Sequence, residues 1–132
     1  MSAVQEVTVQ LAIDVRREAA PTVLSLTGEV DLLTAPQLRE RLHVVPDGDL
    51  VLDLSGVEFF SAAGLRVLHE AHERRQAAGT TMMLTAVPGR INRLLRITGL
   101  LTVLCVVGTA EDAVTMLAPP ELVSPELTPP GQ

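Results

Sequence analysis

Residues 51–68 read VLDLSGVEFFSAAGLRVL, and this stretch decides the fold. It begins with a β-forming run, continues with the pair Ser55-Gly56, which predicts a tight turn, and leads into a helix. Ser61 stands three residues before Gly64, where a serine at a helix N-cap accepts a hydrogen bond from a free backbone N–H group. Partners of open α/β sheets bind where the strands end, so this corner is the candidate functional site.

Alternating strands and helices surround this stretch. A period-two pattern from Val7 to Val15 predicts a half-buried first strand, and residues 23–27 predict its antiparallel partner. Thr34 and Gln37 have the spacing of a capping box, which predicts that the first helix begins there. Further helices are expected at 62–78, 88–99 and 109–117, and further strands at 50–54, 81–87 and 103–107. The chain is therefore predicted to form an α/β domain with a mixed central sheet of about five strands and about four α-helices.

The domain is expected to span residues 1–118, because a chain of 132 residues with 47% hydrophobic residues can bury one core. Residues 119–132 contain five prolines and an approximate repeat, PELVS followed by PELTP. This composition predicts a disordered C-terminal tail.

Charge and motif content argue against several classes of function. The net charge of −6 and the presence of only two aromatic residues argue against nucleic acid as a partner, since phosphate binding needs a basic surface. No apolar run approaches the roughly 20 residues that span a membrane, so we expect no membrane insertion and a cytoplasmic location. His69 and His72 lack the His-Glu-x-x-His spacing of a zinc site, and neither a metal nor a cofactor is expected. Ser61 has no histidine or lysine in its motif that would activate it as a nucleophile, so the chain is not expected to be an enzyme.

At residues 53–65, DLSGVEFFSAAGL, the chain resembles the signature of the STAS domain, the fold of bacterial anti-sigma factor antagonists. Residues 28–36, GEVDLLTAP, resemble the second hallmark of that family, an acidic turn before the first helix. The resemblance covers about residues 5–118. It implies a STAS-like single domain that binds an anti-sigma factor, a kinase-like protein, and thereby frees a sigma factor for transcription. The protein is expected to act in a stress response. Whether it forms a homodimer is left open.

The resemblance also implies where the partner binds. The expected contact residues lie in the acidic turn and at the start of the second helix: Glu29, Asp31, Phe60, Ser61, Ala62, Ala63, Gly64 and Arg66. The family usually carries Asp-Ser-Ser/Thr-Gly where this chain has SAAG, so the position of the usual phospho-accepting serine is Ala62. Phosphorylation at that position is not expected. Ser61 remains as a nearby hydroxyl, either as a phosphate acceptor or as a plain N-cap.

Three features keep two interpretations each. The small residues at 62–64 either form an interface or let the helix pack closely on the sheet. Phe59 and Phe60 point to opposite sides of an extended chain, so one is expected in the core and the other at the surface near Ser61, as an interface anchor. Three arginines at three-residue spacing either bind a partner carboxylate or form a solvated face: Arg90, Arg93 and Arg96.

Other functions remain as alternatives to sigma factor control. STAS domains also resemble accessory subunits of lipid ABC transporters and modules of stress-sensing scaffolds. Purification with a membrane ATPase, rather than with an anti-sigma protein, would select the first of these alternatives. Without phosphorylation at Ala62, binding to an anti-sigma factor is expected to be constitutive or to be controlled elsewhere.

Overall fold

A computed structural model describes residues 10–46 and 48–117, and within them the chain forms one five-stranded sheet and four α-helices. The strands are β1 (Leu11–Arg17), β2 (Thr22–Val30), β3 (Leu50–Phe60), β4 (Met82–Thr85) and β5 (Cys105–Val107). The helices are α1 (Ala35–Val44), α2 (Ala62–Ala77), α3 (Gly89–Ile97) and α4 (Ala110–Leu117), with a short 3₁₀ turn, Leu100–Thr102, before β5. The predicted fold class is confirmed.

The strands follow one another in chain order across the sheet. β1 is antiparallel to β2, and the other neighbouring pairs are parallel. Each parallel pair is joined through a helix, because a crossover must return the chain to the edge where the next strand begins. This arrangement places the carboxyl ends of four strands at the same edge.

Helices cover both faces of the sheet. The larger core joins α1, α2 and α3 to one face and contains Leu52 and Leu84. On the opposite face, α4 packs through Ala113 against Val51 and Met83. Successive residues of β3 and β4 therefore enter opposite cores, which explains the nearly continuous apolar runs of these two strands.

β3 is longer than the sequence pattern indicates. The sequence predicts a tight turn at Ser55-Gly56, and that prediction is wrong. The parallel ladder with β2 continues through this region and ends where Val30 faces Phe60, with register shifts on both sides of Gly56. Gly56 passes so close to β2 that a Cβ atom there would lie 2.9 Å from Thr27 Oγ1. The bulged ladder keeps pairing backbone groups that a turn would leave to solvent.

The ends of β2 and β3 lie side by side at the carboxyl edge of the sheet. Ser61 N, immediately after β3, donates a hydrogen bond of 2.8 Å to Val30 O, at the end of β2. The turn that follows Val30 and the start of α2 therefore begin next to each other. This edge contains the candidate site.

Most other predicted boundaries lie close to the observed ones. The helix expected at 62–78 ends one residue earlier, and the strand expected at 103–107 is shortened to β5. The first residues of the predicted first strand and the predicted tail, 119–132, lie outside the described residues, so both stay predictions. In the part of the chain that the structure describes, no helix combines the length and the apolar character needed to cross a membrane.

Gly64 occupies a tight contact between α2 and the sheet. A Cβ atom there would lie 2.6 Å from Val30 Cγ1 and 2.7 Å from Phe60 Cδ1, and both side chains are buried. Gly64→Ala is expected to lower the free energy of unfolding by about 1–3 kcal/mol, because the added methyl group overpacks this contact. Gly89→Ala is the matched control, since nothing lies within 4 Å of its added atom. Urea unfolding measures both, and equal stability of the two variants would contradict this reading.

Candidate protein-binding site

The turn between β2 and α1 is held by the carboxylate of Asp31. Its Oδ1 atom accepts hydrogen bonds from Leu33 N at 2.9 Å and from Thr34 N at 3.0 Å. The Thr34 hydroxyl donates to Glu29 O at 2.8 Å, and Thr34 Oγ1 accepts from Asp31 N at 2.9 Å. The hydrogen bonds that the Asp31 carboxylate accepts, the one from Thr34 N above all, hold its pKa below the ordinary value of 3.8. The acidic turn is therefore a fixed Asx turn.

The capping box expected at Thr34 and Gln37 is wrong. Thr34 bonds back into the preceding turn and makes no cap hydrogen bond to α1. The Gln37 side chain donates instead to Leu11 O on β1, at 3.0 Å. The spacing alone does not reveal the partner of Gln37, because Leu11 O lies 26 positions away in the chain and comes within reach only when the domain has folded.

The Asx turn presents two leucines to solvent. Leu32 is 76% exposed and Leu33 is 78% exposed. Both follow Asp31 directly, so the backbone that carries them is fixed by the carboxylate. Sequence reasoning missed these residues. The available signal is a pair of leucines in a turn, where polar residues, glycine and proline usually dominate.

The start of α2 divides into an exposed and a packed part. Ser61 caps the helix, since its Oγ accepts a hydrogen bond from Gly64 N at 3.3 Å. Ala62 is exposed, Ala63 is half-buried and Gly64 is buried against the sheet. Arg66, one turn further, is exposed. The packing interpretation is therefore confirmed for Gly64, whereas Ala62 is exposed and its place in an interface stays a prediction.

Phe60 lies in the core, so its predicted place on the partner-binding surface is wrong. Its side chain is 1% exposed and belongs to the larger core, whereas Phe59 is 48% exposed. The sequence correctly predicts that the two rings lie on opposite sides of the strand. It does not show which ring is outside, because that depends on the register of β3 against β2.

Exposed, uncharged residues lie at or just beyond the adjacent ends of β2 and β3, and we call this group the strand-end patch: Leu32, Leu33, Phe59 and Ala62. Glu29 and Asp31 flank it on the β2 side. Arg90 flanks it on the α3 side, where its Nη1 atom donates to Glu58 O at 3.3 Å, next to Phe59. An apolar centre with a charged rim is typical of protein–protein interfaces.

The side chains at this edge suit non-covalent contact. They offer aliphatic and aromatic carbon, and the Ser61 hydroxyl oxygen already accepts a bond from the helix that it caps. Within residues 10–46 and 48–117, no group of three or more histidine, cysteine, aspartate or glutamate side chains is placed to hold a metal ion. Exposed apolar side chains that lie together in this way are often found where proteins bind one another.

A family model described as Mlab, STAS domain matches residues 13–107, from β1 through β5. The chain belongs to the STAS domain family. Both motifs of the candidate site, the acidic turn and the start of α2, lie within the matched range. The family membership and the observed sheet order therefore agree with the fold that the two motifs imply.

Relatives of this STAS domain carry the name of anti-sigma factor antagonists. RsfB of Mycobacterium tuberculosis, an anti-sigma-F factor antagonist, is 42% identical over 77 residues, which are 56% of this chain and 60% of RsfB. The chain thus spans three fifths of the length of RsfB. The anti-sigma-B factor antagonist of Bacillus subtilis is 28% identical over 104 residues, which are 77% of this chain and 95% of that protein.

A solved structure shows the same likeness. The crystal structure of an anti-sigma factor antagonist from Mycobacterium paratuberculosis superposes with a TM-score of 0.72 at 30% sequence identity. The superposition covers 81% of this chain and 93% of that one. Most of this STAS domain therefore has the same fold as a relative of known structure.

Substitution of each phenylalanine in turn separates the core ring from the surface ring. Phe60→Ala is expected to lower the free energy of unfolding by about 3–5 kcal/mol, because it leaves a cavity beside Val30 and Gly64. Phe59→Ala is expected to cost less than about 1 kcal/mol, since half of that ring already lies in water. Chemical denaturation measures both changes. The reverse order of the two losses would show that the register of β3 is assigned wrongly.

Asp31→Asn tests the carboxylate that holds the Asx turn. The folded-state pKa of Asp31 lies below 3.8, so the charge contributes stability that is present above pH 3.8 and is lost as the pH falls through the folded-state pKa. The wild type is therefore expected to exceed Asp31→Asn in free energy of unfolding at pH 7, by a difference that shrinks at pH values under 3.8. Urea unfolding over a pH series measures the difference. A difference independent of pH would rule out the charge as its cause.

Proposed function

We propose that this STAS domain is an anti-sigma factor antagonist, which binds an anti-sigma factor through the strand-end patch and thereby releases a sigma factor. Relatives that carry this name support the proposal, as does a patch of exposed apolar carbon framed by charges. The mechanism is competition by mass action, because an anti-sigma factor held by this chain is withdrawn from the sigma factor. No covalent step is required of this domain.

The exposed leucines of the Asx turn carry the proposal. Full burial of a leucine side chain contributes about 1.5–3 kcal/mol. In the free domain, Leu32 and Leu33 gain little of this burial free energy, since each side chain is more than three quarters exposed. The turn is already fixed by the Asp31 carboxylate, so a partner that covers these side chains loses little free energy in ordering the backbone.

The residue at position 62 determines whether phosphorylation there can regulate binding. A phosphate group at the start of α2 would add roughly −1.5 to −2 charges beside the strand-end patch. The methyl group of Ala62 accepts no phosphate, and the nearby Ser61 oxygen is engaged with Gly64 N. We therefore propose that a kinase-like anti-sigma factor does not switch this domain at position 62. Binding is constitutive, or it is controlled through expression or through another site.

Binding to the purified anti-sigma factors of the same genome, measured by biolayer interferometry, tests the proposal. Leu33→Asp and Ala62→Glu are each expected to weaken binding at least tenfold, because each places an unpaired charge within an apolar contact. Val44→Asp is the matched control, since Val44 is 70% exposed at the far end of α1. The control is expected to bind within twofold of the wild type. Circular dichroism confirms that the variants fold.

Two outcomes would contradict the proposal: no anti-sigma factor binds, or both patch variants bind as tightly as the control. Recovery of a membrane ATPase in place of an anti-sigma factor would favour the transporter alternative. Incubation with the partner and ATP, followed by intact-mass measurement, is expected to add no phosphate. Stoichiometric phosphate on Ser61 would show that the constitutive form of the proposal is wrong.

A further inference from the structure

Charge is distributed unevenly along this acidic chain. The net charge is −6, yet residues 74–110 contain five arginines and neither aspartate nor glutamate. Three of these arginines lie on α3, whose nine residues carry no acid: Arg90, Arg93 and Arg96. Two acidic residues of the candidate site, Glu29 and Asp31, lie on the other side, while Glu58 lies between them and α3 beside Phe59. The two sides of the strand-end patch therefore carry opposite charge.

The arginines of α3 are available to a partner. All three are exposed, while Ile91 and Leu95 anchor the opposite side of the helix in the core. Arg39 pairs with Glu70, and His69 Nε2 lies 3.5 Å from Glu73 Oε2; neither contact involves α3. The α3 arginines thus have no carboxylate within 4 Å in the described part of the chain.

A groove beside α2 continues this basic surface. It has a volume of about 280 Å³ and is lined by Ala62, Leu65, Arg66, His69, Thr98 and Leu100. Its apolar floor comes from Leu65 and Leu100, and Arg66 adds a further positive charge. Ala62 belongs both to the groove and to the strand-end patch, so a chain that covers the patch can continue into the groove.

We propose that this groove and the exposed arginines beside it bind an acidic segment of the protein partner, one that carries carboxylates around an aliphatic side chain. We call this surface the basic ridge: Arg66, Arg90, Arg93 and Arg96. The inference rests on the proposed function and adds the chemistry and the orientation of the partner. The aliphatic side chain packs between Leu65 and Leu100, while carboxylates pair with the guanidinium groups.

The spacing of the arginines along α3 matches a short, extended segment of the partner. Arg90 and Arg96 are six residues apart on a helix, which corresponds to about 9 Å along the axis. An extended chain covers about 9–10 Å in three residues, so two carboxylates three residues apart match the outer arginines. Arg90 also lies next to Phe59, because it donates a hydrogen bond to Glu58 O. A partner bound to the strand-end patch can therefore place its acidic segment directly on α3.

An acidic polypeptide fits this surface better than nucleic acid or lipid does. A nucleic acid or an anionic membrane presents negative charge over a wide area, and this edge of the domain carries exposed Glu29 and Glu58 and half-buried Asp31. A folded protein can instead place acidic groups opposite α3 and basic groups opposite the Asx turn. The opposite charges of the two sides thus fix the orientation in which the partner docks.

Charge reversal on α3 tests the inference with the purified anti-sigma factor. R93E/R96E is expected to weaken binding at least tenfold, mainly through slower association, and to flatten the dependence of affinity on salt concentration. R16E/R41E is the control with the same change in net charge, on β1 and α1. It is expected to change the affinity less than threefold. Replacement of the facing partner carboxylates by lysine is expected to restore binding to R93E/R96E.

If R93E/R96E binds like the control while Leu33→Asp abolishes binding, the inference is wrong and the proposed function stands. A second probe is independent of that function: the ¹⁵N-labelled domain titrated with a ten-residue peptide of glutamates around two leucines. Amide shift changes are expected at Arg66, Arg93 and Leu100, and a glutamine-substituted peptide is expected to produce few. No changes at these residues would overturn the inference. Tighter binding to phosphatidylglycerol vesicles or to single-stranded RNA than to the acidic peptide would overturn it as well.

Discussion

The parallel ladder between β2 and β3 is the constraint on which the rest of this structure depends. It runs past the point where the sequence suggests a turn, and the close approach at Gly56 lets it do so. The ladder ends with Val30 opposite Phe60, and Ser61 N then donates to Val30 O. Two segments that are distant in sequence, the Asx turn and the start of α2, are thereby held at one edge of the sheet.

Local hydrogen bonds then make that edge rigid without using its apolar side chains. The Asp31 carboxylate holds one turn, and the Ser61 hydroxyl caps one helix. Both use polar atoms to satisfy backbone N–H groups, so Leu32 and Leu33 are free to face outward. A surface built in this way can bury carbon against a partner while its own backbone loses little conformational entropy.

The charged residues at this edge are distributed asymmetrically. The acidic residues of β2 and its turn lie on one side of the strand-end patch, and the arginines of α3 lie on the other. Apolar burial contributes most to the affinity of such a surface, whereas charges at the rim govern the rate of association and the choice of orientation. The phospho-acceptor position that the resemblance to the STAS motif implies is Ala62 in this chain, and a methyl group accepts no phosphate.

The sequence by itself determined the alternation of strands and helices, the Ser61 cap and the STAS motifs. These features depend on periodicity or on hydrogen bonds between residues about four positions apart, which the chain records directly. Only the tertiary structure decided that β3 continues through Ser55 and that Phe59 rather than Phe60 is exposed. Those outcomes depend on the register between β2 and β3, which pairs residues about 30 positions apart, and local sequence does not encode a register that long-range packing selects.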